Sequence, residues 1–328
     1  MRITALLITA GLLGTAAAAP AAETPLQLEA KIPLGEVSGR IDHMAADVKR
    51  QRLFVAELGN NTVGVIDLAE RKLLQRLSGL KEPQGVGYEP ASDMIYVANA
   101  RDGSVNLFQG TDLASAGVIA LGSDADNVRI DPRTNRVIVG YGKGALAIID
   151  PASRRKIGEV PIARHPEGFQ LDPESSRVFI NVPDARSIVV VDTAAGKQIT
   201  TWPQSGRSGN FPMALDLARH QVLAVFRQPA ELAIVAMSDG AAVAKLPVCG
   251  DSDDVFVDAK RQRAYVGCGE GFIDVIDLQA KPAARVAHIA TASGARTALF
   301  MPDLDRLAIA VPARGATPAA IWLFRPVP

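Results

Sequence analysis

The sequence predicts an all-β protein, a seven-bladed β-propeller of four-stranded antiparallel blades whose last blade is closed by an N-terminal strand. Three observations predict this fold. One motif of alternating apolar residues recurs seven times. Each copy contains short apolar runs separated by turn residues. The N-terminal and C-terminal segments together supply the parts of one copy. No segment sustains a helical period over several turns, so the runs are predicted to be strands.

The repeat is marked by the residue that ends its first run, which is acidic in six copies and methionine in the seventh. Successive markers are 41 to 44 residues apart, and the middle of a second apolar run lies seven residues beyond each marker. This period, with four strands in each unit, is typical of a propeller blade. The markers are Asp47, Glu89, Asp131, Asp172, Asp216, Asp258 and Met301.

A third and a fourth run complete each repeat, such as Thr62–Leu68 and Lys72–Leu77 in the first copy. They are rich in β-branched residues and are bounded by Gly, Asn, Asp or Pro. The seventh repeat ends after its third run, at Phe324, and lacks a fourth. We expect Leu26–Leu34 to supply that strand, which would close the ring and leave no free inner edge. The alternative is an open superhelical stack, which requires atypical capping units.

The N-terminal residues have the order of a secretory signal peptide: Arg2, an apolar run over residues 3–19, and small residues up to position 22. Residues 1–22 are therefore predicted to be cleaved, leaving residues 26–328 as a single propeller domain in the periplasm or the medium. A membrane anchor is the alternative, but Gly11 and Gly14 interrupt the run, which is short for a bilayer span. The rest of the sequence contains no apolar stretch long enough to span a membrane.

The balance between acidic and basic residues indicates which class of partner the protein can bind. The chain has 35 basic and 35 acidic residues, so it lacks the basic excess that phosphate binding needs, and we expect no nucleic-acid partner. The sequence has neither the Cys-x-x-Cys-His motif of haem attachment nor the Gly-x-Ser-x-Gly motif of a hydrolase nucleophile. We expect a monomer.

Two segments carry a family resemblance. Arg52–Asp67, which reads RLFVAELGNNTVGVID, and Met94–Phe108, which reads MIYVANARDGSVNLF, resemble the YVTN-repeat β-propellers. The resemblance covers essentially the whole mature chain and implies the propeller fold in an exported bacterial protein. It implies no particular activity, because that family consists mostly of binding and surface proteins.

Polar residues begin the first strand of most repeats. In a propeller these strands lie nearest the axis, so the residues that start them surround one end of the central channel, here called the channel mouth. The positions five residues before each marker are Asp42, Gln84, Asp126, Glu167, Phe211, Asp253 and Arg296. Arg40 lies nearby, and the next position along the chain adds His43, Asn127 and Asp254.

Such a mouth is expected to attract cations, and carboxylates with an amide suit Ca²⁺. The triplets around Asn127, Glu167 and Asp254 also resemble the strand starts that hold the metal in gluconolactonase-type propellers. That resemblance implies a Ca²⁺ held by these three residues, with His43 or Asp42 as general base. The alternative interpretation is that these side chains satisfy backbone groups where strands begin.

The histidines and the charged loop residues allow two interpretations. His43 lies beside Asp42 and Arg40, where a carboxylate would orient its ring, but a structural histidine is the commoner case. His165 lies on a mouth loop and allows the same two interpretations. Arg227 and the other charged residues of the upper loops are predicted to form a solvated face or the polar rim of a protein partner site.

The sequence contains two cysteines, Cys249 and Cys268. Cys249 ends the loop that enters the sixth blade, and Cys268 closes the second strand of that blade, so both should lie on the mouth face. In an oxidising compartment we expect them to form a disulfide that stiffens the loop carrying Asp251, Asp253 and Asp254, stabilising the fold by roughly 3 kcal/mol.

Two functions follow. The first is a non-catalytic binding or scaffold protein whose acidic channel mouth binds a protein, a peptide or a small ligand. The second is a Ca²⁺-dependent lactonase-type hydrolase acting at the same mouth.

Overall fold

The computed structural model describes residues 24–328, so the predicted signal peptide lies outside the described residues. The described chain folds into seven four-stranded antiparallel sheets. Six of them contain four strands that follow one another in the chain, and the seventh joins the first strand of the chain to the last three. The predicted fold class is therefore confirmed.

The strands occupy the predicted runs. The chain begins with β1 (Leu26–Gly35). Blade one contains β2 (Met44–Asp47), β3 (Arg52–Glu57), β4 (Thr62–Asp67) and β5 (Lys72–Leu77). Blade two contains β6 (Pro83–Glu89), β7 (Met94–Asn99), β8 (Ser104–Gln109) and β9 (Ser115–Ala120). Blade three contains β10 (Ala125–Ile130), β11 (Val137–Tyr141), β12 (Ala145–Asp150) and β13 (Arg155–Pro161).

The remaining blades repeat this order. Blade four contains β14 (Phe169–Leu171), β15 (Arg177–Val182), β16 (Ser187–Asp192) and β17 (Lys197–Pro203). Blade five contains β18 (Ser208–Asp216), β19 (Gln221–Gln228), β20 (Ala230–Ala236) and β21 (Ala242–Pro247). Blade six contains β22 (Ser252–Asp258), β23 (Arg263–Cys268), β24 (Phe272–Asp277) and β25 (Ala284–Ala290). Blade seven contains β26 (Ala298–Met301), β27 (Arg306–Val311), β28 (Ala319–Pro326) and β1.

Short 3₁₀ turns complete the described secondary structure. They span Leu58–Asn60, Pro183–Ala185, Leu217–Arg219 and Pro302–Leu304. Among the described residues, no helix combines the length and the apolar character needed to cross a bilayer.

The acidic markers of the repeat have a structural role at the turn between the first two strands of each blade. Asp47, Asp216 and Asp258 are buried, and each accepts a hydrogen bond from the backbone N–H three residues later, at 3.1, 3.2 and 3.1 Å. A short acceptor satisfies a backbone donor that the turn would otherwise leave unpaired. In blade seven, the side chain of the marker Met301 cannot accept such a hydrogen bond, and the chain instead forms a 3₁₀ turn that begins at Pro302.

Closure of the ring joins the two ends of the chain. β1 pairs antiparallel with β28, with a register that runs from Leu26 opposite Pro326 to Gly35 opposite Ala319. Blades seven and one also meet at the axis, where the Thr297 hydroxyl donates to the Ile41 carbonyl at 3.3 Å. The ring is closed, so the alternative of an open superhelical stack is wrong.

The apolar core lies between neighbouring blades. Tyr96 and Leu107 of blade two pack with Val128 and Val139 of blade three in one buried cluster. Each sheet therefore buries both faces, which explains the nearly continuous apolar runs of the second and third strands.

The outer edge of each sheet is irregular. Five of the outer strands carry a β-bulge at an exposed apolar residue: Leu74, Ile157, Ile199, Val243 and Val286. A bulge disrupts the row of free backbone groups that an edge strand would present to another chain.

Candidate ligand site at the channel mouth

One end of the central channel opens into a cavity of about 330 Å³, which we call the mouth cavity. Every blade contributes to its lining, because the segments that start the innermost strands converge on the axis. Blades two to four contribute Gln84, Asp124, Asp126, Asn127, His165, Glu167 and Gly168. Blades five, six, seven and one contribute Phe211, Arg227, Asp253, Arg296, Arg40 and His43.

The repeat register located most of this lining. Six of the seven positions counted back from the markers line the cavity, and the seventh, Asp42, lies behind Arg40. Asp124 was not anticipated, because it precedes the predicted strand start. Arg227 was expected on an upper loop, as part of a solvated face or of the polar rim of a protein partner site. β19 instead runs two residues past the usual strand length and carries this side chain into the lining.

Arginine and aspartate pairs form the wall contributed by blades five to seven. Arg227 lies 2.7 Å from Asp253, and Arg296 lies 3.1 Å from the other oxygen of the same carboxylate. Arg296 also binds Asp251 at 2.9 Å, and the Arg227 guanidinium lies 4.1 Å from the centre of the Phe211 ring. The guanidinium groups of this wall are thus already paired with carboxylates.

His43 forms the floor of the mouth cavity, between two buried carboxylates. Its Nε2 lies 3.8 Å from Asp42 and its Nδ1 lies 3.8 Å from Asp254. Asp42 is 1 % exposed and pairs with Arg40 at 2.7 Å. Burial raises the pKa of Asp42 to about 6 and that of Asp254 to about 7. Burial opposes the charge on His43, but Asp42 and Asp254 outweigh it and raise the pKa of the ring.

The opposite wall brings together a histidine and two carboxylates from adjacent blades. Asp126, His165 and Glu167 each offer one ligand atom, and these atoms lie within 4.8 Å of one another. The Nδ1 atom of His165 lies 2.6 Å from the Gly142 carbonyl oxygen, and its Nε2 atom lies 3.9 Å from Asp126. With its amide nitrogen turned toward Asp126, Gln84 donates to both carboxylate oxygens, at 3.1 and 3.2 Å.

The pKa values of Glu167 and His165 are shifted because the ionisable groups of this wall are buried close together. Burial, together with the neighbouring Asp126 charge, raises the pKa of Glu167 to about 8. Burial lowers the pKa of His165, but the Asp126 carboxylate and the Gly142 carbonyl outweigh it and raise that pKa to about 9.

The three residues proposed for Ca²⁺ do not share one site. Asn127 and Glu167 line the mouth cavity, and Asn127, which is 1 % exposed, has no hydrogen-bond partner for its Oδ1 within residues 24–328. Asp254 accepts the Ala298 backbone N–H at 2.8 Å and lines a second cavity, deeper in the channel and separated by His43. The residues present therefore do not fit that Ca²⁺ set.

The predicted disulfide is present. Cys249 and Cys268 are bonded, with their Cα atoms 5.8 Å apart. Glu270 accepts the Gly250 backbone N–H at 2.8 Å, and the Asp251 carbonyl accepts the Gly269 N–H at 2.8 Å. The Glu270 N–H also donates to the Gly250 carbonyl at 3.2 Å, so the loop that carries Asp251 and Asp253 is attached to the end of β23 by one covalent bond and three hydrogen bonds.

Sequence comparison gives no assignment. No protein-family model matches the chain, and no curated protein matches it, so membership of the YVTN-repeat family stays a prediction. Among solved structures, the chain is similar to a chain of Kuenenia stuttgartiensis hydrazine synthase, with a TM-score of 0.74 and 16 % sequence identity. The match covers 87 % of this chain and 99 % of that one. At this identity the similarity shows the β-propeller fold alone.

Proposed function

We propose that this chain is an exported binding protein that holds one small polar ligand, bearing a cationic group, in the mouth cavity. The observation that carries the proposal is the convergence of charged side chains from all seven blades on one recess. A rigid scaffold that presents a few convergent polar groups in a concave site is the usual form of a small-molecule site.

The size of the site favours a small molecule over a protein partner. The recess holds about 330 Å³, and Asp126, Asn127 and Asp253 are each less than a tenth exposed. Protein interfaces are instead broad surfaces of roughly 800 Å² on each partner. The polar groups here are recessed, where a compact ligand would bury most of its surface.

The charge distribution favours a cationic group. The three lining arginines are paired with Asp42, Asp251 and Asp253, so that wall is close to neutral. Among the lining residues of blades two to four, Asp124, Asp126 and Glu167 are balanced by His165 alone. Burial and the Asp126 charge raise the pKa of Glu167, so a ligand cation would favour the ionised form of Glu167 and offset its repulsion with Asp126.

The disulfide supports an exported location, because such bonds persist mainly in oxidising compartments. The proposal therefore includes a periplasmic or secreted location for this protein.

The test is a thermal-melting and calorimetric screen with glucosamine and choline as cationic probes, and with glucose and acetate as neutral and anionic probes. We expect cationic probes to raise the melting temperature, since a ligand at 100 times its Kd adds about 2.7 kcal/mol to the free energy of unfolding. Glu167→Gln should abolish the shift. Glu82→Gln, at a half-exposed carboxylate outside the lining, is the matched control. A preference for acetate would contradict the cationic character.

The second candidate, a lactonase-type hydrolase, is favoured by one observation, the position of His43 between two carboxylates at the cavity floor. Asp42 and Asp254 raise its pKa despite burial and so favour the protonated ring, which is the form that can donate a proton to a leaving group. Lactones and aryl esters assayed with the wild type and His43→Ala test this candidate. Turnover lost in the variant supports it, and absence of turnover in the wild type removes it.

A further inference from the structure

The wall made by blades three and four has the composition of a metal site. Within the described residues, one set of three His, Cys, Asp or Glu side chains brings its ligand atoms within 4.8 Å of one another, and it is Asp126, His165 and Glu167. Two carboxylates and one imidazole are a ligand combination that zinc and its neighbours accept.

The histidine is oriented as a metal ligand would be. Its Nδ1 atom lies 2.6 Å from the Gly142 carbonyl, so Nδ1 carries the proton that this contact requires. The Nε2 atom then faces Asp126 and offers its lone pair once a metal displaces the second proton. Ligating histidines usually donate their other ring N–H to a carbonyl or carboxylate in this way.

The two carboxylates are also held in place from behind. Gln84 donates to both oxygens of Asp126. The backbone on either side of the Glu167 Cα is fixed, because the Glu167 N–H donates to the Asn181 carbonyl at 3.0 Å and the Gly168 N–H donates to the Phe211 carbonyl at 3.1 Å. The three ligands therefore start from backbone and side-chain positions that need little rearrangement.

An independent observation at the same wall comes from Asn127. Its side chain is almost completely buried, lines the mouth cavity, and leaves Oδ1 without a hydrogen-bond partner among residues 24–328. An unpaired buried amide oxygen is costly, and such a group in a native structure requires an explanation, of which a bound ion or water is one and a catalytic role another. Asn127 immediately follows Asp126, so this oxygen belongs to the same strand start.

We propose that Asp126, His165 and Glu167 bind one divalent transition-metal ion, best matched by Zn²⁺, with a further coordination position open to the mouth cavity. Three protein ligands with an open position are the arrangement of zinc sites that bind an exchangeable molecule. The proposal shares its cavity with the proposed function but does not rest on it, because the metal ion would take the place of the ligand's cationic group at these carboxylates.

The imidazole of His165 favours Zn²⁺ over Ca²⁺ and Mg²⁺ at this site. Ca²⁺ and Mg²⁺ take oxygen ligands almost exclusively, whereas imidazole nitrogen suits Zn²⁺ and other late first-row ions. The structure thus replaces the Ca²⁺ set expected from the sequence, which included Asp254, with a set that contains His165.

The experiment is calorimetric titration of the full mature chain, free of any histidine tag, with ZnCl₂ and separately with CaCl₂. We expect one Zn²⁺ per chain and at least about tenfold weaker binding of Ca²⁺. His165→Ala and Glu167→Gln should each weaken Zn²⁺ binding by more than the roughly 10- to 100-fold expected when a supporting hydrogen bond is removed. Gln84→Ala should fall in that lower range.

Two controls keep the result interpretable. Glu82→Gln removes a half-exposed carboxylate that pairs with Arg101 outside the mouth cavity, so it should retain Zn²⁺ affinity within a few-fold. Metal-free melting curves establish that each variant is folded. The visible absorption of bound Co²⁺ should be present in the wild type and in Glu82→Gln and lost in His165→Ala.

Absence of Zn²⁺ binding by the wild type, or equal affinity in His165→Ala and Glu82→Gln, would overturn the metal site. Binding of glucosamine or choline by a chain that ignores Zn²⁺ would leave the proposed function standing without the metal. Zn²⁺ binding without any response to the organic probes would support the metal and contradict the organic cation.

Discussion

Arg261 of blade six binds Asp305 of blade seven through two parallel hydrogen bonds of 2.7 and 2.8 Å. The same guanidinium holds Asp258, the marker of its own repeat, at 3.0 Å. Arg50 makes the corresponding link from blade one to Asp93 of blade two. On the face opposite the mouth, the repeat markers thus connect neighbouring blades.

Arg261→Ala should destabilise the fold by about 1–3 kcal/mol, because it removes a bidentate pair between blades and leaves buried Asp258 with one fewer partner. Arg219 is the matched control. It pairs with Asp216 of its own blade at 2.8 Å, and the next blade offers Gln262 where blade seven offers Asp305. Urea unfolding at pH 7 measures both variants. Equal losses at the two sites would contradict the link between blades.

The Arg261–Asp305 pair also makes the stability of the protein depend on pH under acidic conditions. Hydrogen bonds from Arg261 hold the pKa of Asp305 well below its usual range. A carboxyl with a depressed folded-state pKa stabilises the protein above its unfolded pKa of about 3.9 and loses that contribution as the pH falls further. The difference in stability between wild type and Arg261→Ala should therefore shrink below about pH 4. A difference that stays constant down to pH 2 would argue against it.

Because β1 closes the ring, its buried and exposed residues are expected to differ in their contribution to stability. Ile32 is fully buried in the core between blades seven and one, whereas Leu28 of the same strand is 45 % exposed. Ile32→Ala should cost about 2–5 kcal/mol in unfolding free energy, while Leu28→Ala should cost less than about 0.5 kcal/mol. Chemical denaturation of both variants is the measurement. Similar small effects would mean that the closing strand contributes little.

The repeat predicted the fold well because one register constrains seven copies. Asp47 and Asp258 end equivalent strands and cap equivalent turns, so a shift in any copy would have broken the pattern. The same register located the cavity, since Gln84 and Asp253 occupy equivalent positions.

The register did not predict which side chains meet, because the first strands are bulged. The pairing of β22 with β23 shifts between Ser252 and Asp254, and that of β10 with β11 shifts between Ala125 and Val128. A bulge turns the following side chain away from the direction that simple alternation gives. Asp254 consequently faces the deeper channel, and the contact between His165 and Asp126 depends on the course of a loop that no sequence period describes.

The disulfide predicts a loss of stability under reduction. Linking Cys249 to Cys268 closes a loop of 19 residues, so its removal should cost about 3 kcal/mol. Melting with and without dithiothreitol measures the effect, and Cys249→Ala/Cys268→Ala should melt at the reduced temperature and ignore the reductant. Binding at the mouth should weaken as well, because the loop that carries Asp251 and Asp253 would lose its covalent attachment to β23. Identical melting of oxidised and reduced protein would show that the backbone hydrogen bonds suffice.

The channel interior predicts an opposite pH dependence to that of Asp305. Burial raises the pKa of Asp254 from 3.8 to about 7, partly offset by His43, the Ala298 N–H and Arg129, while Asp253 adds to the shift. A carboxyl whose folded-state pKa is raised stabilises the protein below the unfolded pKa, and this contribution is lost as the pH rises from about 4 to about 7. At pH 8 the cost is at most about 4 kcal/mol. Raising the pKa of His43 acts in the same direction, since its contribution also declines as the pH rises.

Asp254→Asn keeps an oxygen for the Ala298 N–H and removes the buried charge. We therefore expect it to unfold at higher urea concentration than the wild type at pH 8 and to be nearly equal to it at pH 4. Asp303→Asn removes an exposed carboxylate within the chain's last 3₁₀ turn and should change little at either pH. If Asp254→Asn were less stable than the wild type at pH 8, the ionised Asp254–His43 pair would be stabilising, and burial would not dominate the electrostatics of the channel.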